Sequence, residues 1–275
     1  MDVSDLPSDT AQWVTAVRRQ LRFYLRTWRF VGLLIFVLIV DLAVTSVNIA
    51  YNSSGTSAGD YLYNAIGAMP TFGVIVGAFI GGDALAMDFG SGTGYFMLVL
   101  PVRRIVLLLG RYAAAFLASF ALILVYYVIS LGGAVWFYGF VGLPWVDVVE
   151  SMGLAAVFAL AVLAAAFLFS SFFRSPAISI VATILVLFLA FDIVDGILSV
   201  TTVEPWFSIL YAGQAIALVF ESQPHMTSIT VPGRVHLTVT TWHPYVWEGA
   251  VIMVVYLVAC LALSAVIYQF KESKG

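Results

Sequence analysis

The 275-residue chain is 62% hydrophobic and only 10% charged, with a mean hydropathy of +1.03 and a formal net charge of −3. A soluble domain carries about 25% charged residues, so polar surface is too scarce to coat a water-exposed globule, and the bilayer is the solvent that fits. Cys260 is the single cysteine, which excludes an intrachain disulfide and a cysteine-cluster metal site.

The first ten residues are acidic and polar, so no cleavable signal peptide is expected and the first apolar run is read as a retained span. Before that run comes "DTAQWVTAVRRQLRFYLRTWRF". Trp13, Val17, Leu21, Tyr24 and Trp28 recur at helical spacing, and Arg18, Arg22, Arg26 and Arg29 form the opposite stripe. This predicts an amphipathic helix over residues 9–29, lying in the inner headgroup layer with its arginines near anionic lipid. The alternative is a helix in water packed on a partner.

Six apolar runs follow, at about 30–50, 65–87, 106–139, 149–172, 177–199 and 247–269, each long enough to cross a hydrocarbon core of roughly 30 Å as helix. Lipid cannot satisfy backbone polar groups, and the runs are continuous rather than alternating, so helices are expected and a membrane barrel is not. The third run is too long for a simple crossing and is expected to project into water at its Arg111 end. The segment 139–147 reads as a tight turn. Residues 200–245, between spans 5 and 6, are expected to form the one sizeable extracellular loop, with a short helix in "SILYAGQAIALVF" dipping partly into the outer leaflet and a hairpin around Pro232-Gly233. No separate soluble domain interrupts the chain, which reads as one membrane domain over residues 1–275.

The twelve Lys and Arg residues set the orientation. Arg18, Arg19, Arg22, Arg26, Arg29, Arg103, Arg104, Arg111, Arg174, Lys271 and Lys274 fall on one side of a six-span arrangement, and Arg234 alone falls on the other. The positive-inside rule then puts both termini in the cytoplasm. Asp60, Asp147, Glu150, Glu204 and Glu221 mark the outer side, with several tryptophans at interfacial depth.

The search for chemistry excludes more than it finds. "GSGTG" (90–94) lacks the Lys of a phosphate-binding loop, and no Lys precedes Lys271. It also lacks the preceding strand of a dinucleotide fingerprint. No ATPase site is therefore expected in this chain. His225, His236 and His243 are spaced by 11 and 7, which puts no two ligands on one helix turn, and no metal site is expected. No catalytic set appears at membrane depth, and no nucleic-acid partner is expected. The acids within the spans are more informative. Asp41 lies about eleven residues into span 1, roughly mid-membrane at 1.5 Å per residue, where an Asp costs on the order of 2.5–3.5 kcal/mol. Asp192 and Asp195 share a face of span 5. Either these three acids line a polar translocation path or proton site, or they hydrogen-bond between helices.

The stretch "GDALAMDFGSGTGYFMLVLPVRR" after span 2 resembles the inner loop of the type-2 ABC exporter permeases, the six-span subunits of ATP-binding-cassette transporters. Asp88 stands where that family commonly has Glu, Gly92-Thr93 follows, "LPVRR" (100–104) supplies the turn with Pro101, Arg103 and Arg104, and Gly110-Arg111 stands for Gly-Lys. "AAAFLFSSFFRSPAISI" (164–180) is similar to the family's passage from span 4 to span 5. The resemblance implies a permease subunit of an exporter at the plasma membrane. Residues 88–105 would be the cytoplasmic coupling loop docking on separate ATPase subunits, which would hold the ATP and Mg. A second permease copy or homologue would complete the path, and no cofactor would bind this chain. The rival from the residues alone is an ion-coupled secondary transporter or channel that uses an intramembrane Asp.

Overall fold

The computed structural model describes residues 9–52, 57–87, 104–221, 223–231 and 237–270. Among the described residues the fold is all-α but for one hairpin, and six stretches are long and apolar enough to cross a membrane: Trp28–Asn48, Ala58–Gly81, Ile105–Tyr138, Trp145–Phe172, Pro176–Thr201 and Val246–Phe270. The second begins some seven residues earlier than its apolar run indicates. Spans 2, 3 and 4 form the buried centre, and spans 1, 5 and 6 expose most of their surface.

Helix α1 (Asp9–Arg26) precedes α2 (Trp28–Asn52), which is span 1. The buried face of α1 carries Tyr24, with Val17 and Leu21 packed beside it, against the start of α5 (Arg104–Tyr138). A Cβ on Gly110 would stand 2.8 Å from the Ala16 Cβ, so the two helices approach backbone to backbone. The partner that covers half of α1 is thus this chain's own third span. Trp13, Phe23, Leu25 and Trp28 stay exposed. The same packing revises the expectation that the Arg111 end of span 3 projects into water. Arg111 is buried, because α1 and the turn after span 2 cover it.

Span 2 is broken. Ser57 and Asp60 form a reciprocal capping box that starts α3 (Ala58–Ile66), and Pro70 starts α4 (Met69–Gly81) after the Gly67-Ala68 turn. Proline lacks the N–H that would continue the ladder, and within lipid a freed carbonyl needs another donor. The Tyr126 hydroxyl of α5 donates to the Ala65 carbonyl at 2.5 Å. On α4, Gly73, Gly77 and Gly81 recur every four residues toward α6 (Trp145–Phe172), the small-residue spacing that lets membrane helices close on each other. A Cβ on Gly77 would lie 2.5 Å from Val162 Cγ1, and one on Gly81 would lie 2.8 Å from the Ala166 Cβ.

Span 5 runs as α7 (Pro176–Ile184), a π-helical stretch (Leu185–Ala190) and α8 (Phe191–Thr201). The helix foreseen in "SILYAGQAIALVF" is α9 (Ile209–Leu218), and it is buried among α3, α4, α6 and α10 (Val246–Phe270). Its ends find partners inside the protein. Ser208 caps the first turn through Tyr211 N, and Ser151 donates to the Ile216 carbonyl at 2.7 Å. Strands β1 (Met226–Val231) and β2 (Leu237–Trp242) pair antiparallel, from Met226 opposite Trp242 to Val231 opposite Leu237. Pro232-Gly233 lies outside the described residues. The bundle thus has a hairpin end, and an opposite end where α1, Arg111 and the exit from α4 meet.

Candidate functional site

Of the residues that the resemblance assigns to coupling, Asp88, Gly92, Thr93, Pro101 and Arg103 lie outside the described residues, as does the side chain of Arg104, the first residue of α5. What is described is the root of that segment, residues 80–87 from the last turn of α4 onward, and it is held from four sides. The Arg29 guanidinium of α2 donates to the Asp83 carboxylate at 2.6 Å. The Tyr24 hydroxyl of α1 donates to the Ile80 carbonyl at 3.1 Å. Arg111 of α5 donates to the Ala84 carbonyl at 3.0 Å. Ser170, in the last turn of α6, accepts from the backbone N–H groups of Leu85 at 3.0 Å and Ala86 at 2.9 Å.

Each anchor answers a physical demand. Beyond Gly81 the amides of Gly82, Ala84 and Met87 still bond to earlier carbonyls, whereas those of Leu85 and Ala86 take the Ser170 oxygen. A serine oxygen has two acceptor lone pairs, and here both are used. Asp83 is buried while Arg29 is more than half exposed, so the pair runs from the protein interior to its surface. Burial pushes the Asp83 carboxyl up to about 6, and the Arg29 charge works against that rise. Burial also pushes the Tyr24 phenol up, and the neighbouring Asp83 carboxylate adds to the effect.

The two sequence stretches that carry the resemblance therefore meet in space. Ser170 belongs to "AAAFLFSSFFRSPAISI", and it holds the root of "GDALAMDFGSGTGYFMLVLPVRR". In the sequence Arg29 and Tyr24 read as opposite stripes of an amphipathic helix, Arg111 as the family's Gly-Lys position and Ser170 as part of the span 4 to span 5 stretch, none of them as a holder of the loop root. The serine pair in an apolar run was the available signal, but its partner is 85 residues away.

The three membrane acids do not form one site. Asp41 is fully buried between α2 and α5, where one oxygen accepts from Ser130 at 3.0 Å and the other has no partner among the described residues. The hydroxyls of Thr45 and Tyr61 are buried near it, beside Gly133. Asp195 on α8 accepts from Ser208 at 2.7 Å, and Ser208 in turn caps α9, so this acid ties span 5 to the buried helix. Asp192 is exposed on span 5, two residues beyond the π-helical stretch. Helix interiors with i→i+5 bonding are rare and mark strained or functional segments.

A family model described as ABC-2 family transporter protein matches residues 30–266. No curated protein sequence matches the chain. The matched region takes in all six apolar spans and the anchored root after α4, and the family is the membrane component of its transporters, not the ATPase. With that match over most of its length, the chain belongs to the ABC-2 transporter family, as a multi-pass permease subunit whose kind works with ABC ATPase partners.

Proposed function

We propose that this subunit belongs to an exporter, with both termini in the cytoplasm and the segment 88–105 as its coupling element. The observation that carries the reading is the four-sided hold on residues 80–87. A permease without an ATP site must receive motion through a stiff contact, and a loop root tied to α1, α2, α5 and α6 passes a push to half of the bundle. The eleven-to-one split of basic residues supports placing that end in the cytoplasm. A second copy or homologue would cover the exposed faces of spans 1, 5 and 6 and bring Asp192 to a path between the halves. Asp88, Gly92 and Thr93 would meet the ATPase, and Pro101, Arg103 and Arg104 would form the turn into span 3. ATP and Mg would sit in the partner. The cargo would be apolar or amphipathic, leaving from the inner leaflet or cytoplasm of the plasma membrane.

Pull-down of the tagged chain from its native membrane should recover an ABC ATPase. In the reconstituted complex, Asp88→Ala and Arg103→Ala should each lower ATP-driven transport while membrane insertion stays intact. Full transport in both variants would refute the coupling assignment. Transport by the lone chain on an ion gradient would favour the rival in which Asp41, buried with an unpaired oxygen, binds the ion.

A further inference from the structure

At the hairpin end, three residues from three separate segments converge. Glu204 lies in the turn after α8, His225 leads into β1, and Glu248 sits in the first turn of α10. One carboxylate oxygen from each glutamate and one ring nitrogen of the histidine all lie within 4.8 Å of one another, and all three residues are half-buried. We propose that Glu204, His225 and Glu248 form a binding site for a divalent transition-metal ion of the zinc type, which clasps the hairpin to the ends of spans 5 and 6.

The histidine geometry carries most of the argument. Nδ1 of His225 lies 2.8 Å from the His243 carbonyl oxygen. A carbonyl only accepts, so Nδ1 bears the proton, and the neutral ring then presents the Nε2 lone pair. That lone pair faces Glu204, with Nε2 at 3.6 Å from Oε2. This is too long for an N–H···O hydrogen bond, which spans about 2.7–3.2 Å. It is close to the edge between two ligands of a tetrahedral ion with bonds of about 2.0–2.1 Å, which is roughly 3.3 Å. All three atoms lie within 4.8 Å of one another, so reaching that edge takes at most about 1.5 Å of movement at flexible glutamate tips.

Each donor also has the supporting contact that metal ligands require. The Nδ1–H bond fixes the tautomer of His225. The ring stacks on Tyr245 with centroids 4.6 Å apart, and it meets the edge of Trp242 at 5.4 Å, so its orientation is fixed too. The Tyr211 hydroxyl donates to Glu204 Oε1 at 2.6 Å, leaving Oε2 toward the cluster. The backbone N–H of Tyr245 donates to Glu248 Oε2 at 3.3 Å. With both glutamates ionised and the imidazole neutral the set carries −2, which a divalent ion cancels, displacing the proton that the Glu204 and Glu248 carboxyls share in their hydrogen bond. An imidazole among the donors favours zinc-type ions over calcium or magnesium, which prefer all-oxygen shells. Three protein ligands leave a fourth position for water. The spacings of the histidines along the sequence hide this set, because two of its members are glutamates from other segments.

The test uses the full chain in detergent micelles, stripped with a chelator and titrated with zinc chloride by calorimetry. One equivalent per chain is expected, with a rise in melting temperature on zinc addition. His225→Ala and the double variant Glu204→Gln/Glu248→Gln should each weaken binding at least tenfold. Tyr211→Phe, which touches no metal, should weaken it by about tenfold through loss of the supporting bond, and Glu221→Gln should leave it unchanged. Absence of stoichiometric binding would overturn the proposal. So would affinity unchanged in His225→Ala, which would mean adventitious surface binding or a protonated His225–Glu204 pair alone. Should His225→Ala fail to fold, Tyr211→Phe decides between the same outcomes.

Discussion

Ser170→Ala isolates the anchor beneath the coupling segment. The substitution removes one oxygen that accepts two buried N–H groups, from Leu85 and Ala86, and it changes almost nothing in shape. Leaving a buried backbone donor unpaired costs about 1–3 kcal/mol, so the variant should lose about 2–6 kcal/mol of local stability. At about 1.4 kcal/mol per factor of ten, that is a fall in protection of about 30-fold or more. Hydrogen–deuterium exchange on the purified chain reads this directly, and the change should be confined to peptides covering residues 82–87. In the assembled transporter, coupling of ATP hydrolysis to transport should fall with it. Ser179→Ala is the matched control. Ser179 is equally buried, but its hydroxyl has no partner among the described residues, so exchange at 82–87 should not change. If Ser170→Ala leaves the exchange of residues 82–87 and the coupling ratio unaltered, the four-sided anchor does not transmit force.

Asp83 adds a pH dependence. Its folded carboxyl sits at about 6 against an ordinary 3.8, so the folded chain holds this proton more tightly. The stability that this proton contributes is complete below about pH 4 and is lost as pH rises through about 6, by about 3 kcal/mol. Chemical denaturation at several pH values should show that slope, and Asp83→Asn should flatten it. Gly77→Ala should cost about 1–3 kcal/mol by overpacking against Val162, and Val162→Ala should restore part of the loss in a double-mutant cycle. Asp192→Asn should lower transport with little change in melting temperature, since the side chain is exposed on span 5. Asp195→Ala should lower the melting temperature, because it leaves the Ser208 cap of α9 without its acceptor.

The number of spans and their apolar character are legible in the sequence, because lipid requires length and hydrophobicity that no other environment demands. The hairpin is legible too, from the alternation on either side of Pro232-Gly233. The break in span 2 was harder to see. Gly67 and Pro70 mark it, but the Tyr126 hydroxyl that makes it tolerable in a bundle lies 61 residues from its acceptor. The fate of α9 was open for the same reason. Its composition fits a rim helix as well as a buried one, and contacts such as Gly213 against Pro70 and Phe158 decide between them. At the candidate site, local motifs named the loop, while the side chains that hold it come from distant turns. Ser170, Arg111 and Tyr24 carry no local signature of that role.

The glycine run along α4 has a mechanical consequence. Phe158, Val162 and Ala166 of α6 seat directly on the glycine backbone of α4, so the two helices cannot slide past each other without those side chains colliding with backbone, and the pair behaves as a single push-rod of about 20 Å, at 1.5 Å per residue over the 13 residues of α4. One tip carries the clamped turn at 82–87, and the other abuts α9 through Pro70 and Gly213. A shove delivered at the first tip arrives at the second with little lost to bending, and the hairpin end learns of events at the opposite face through solid contact.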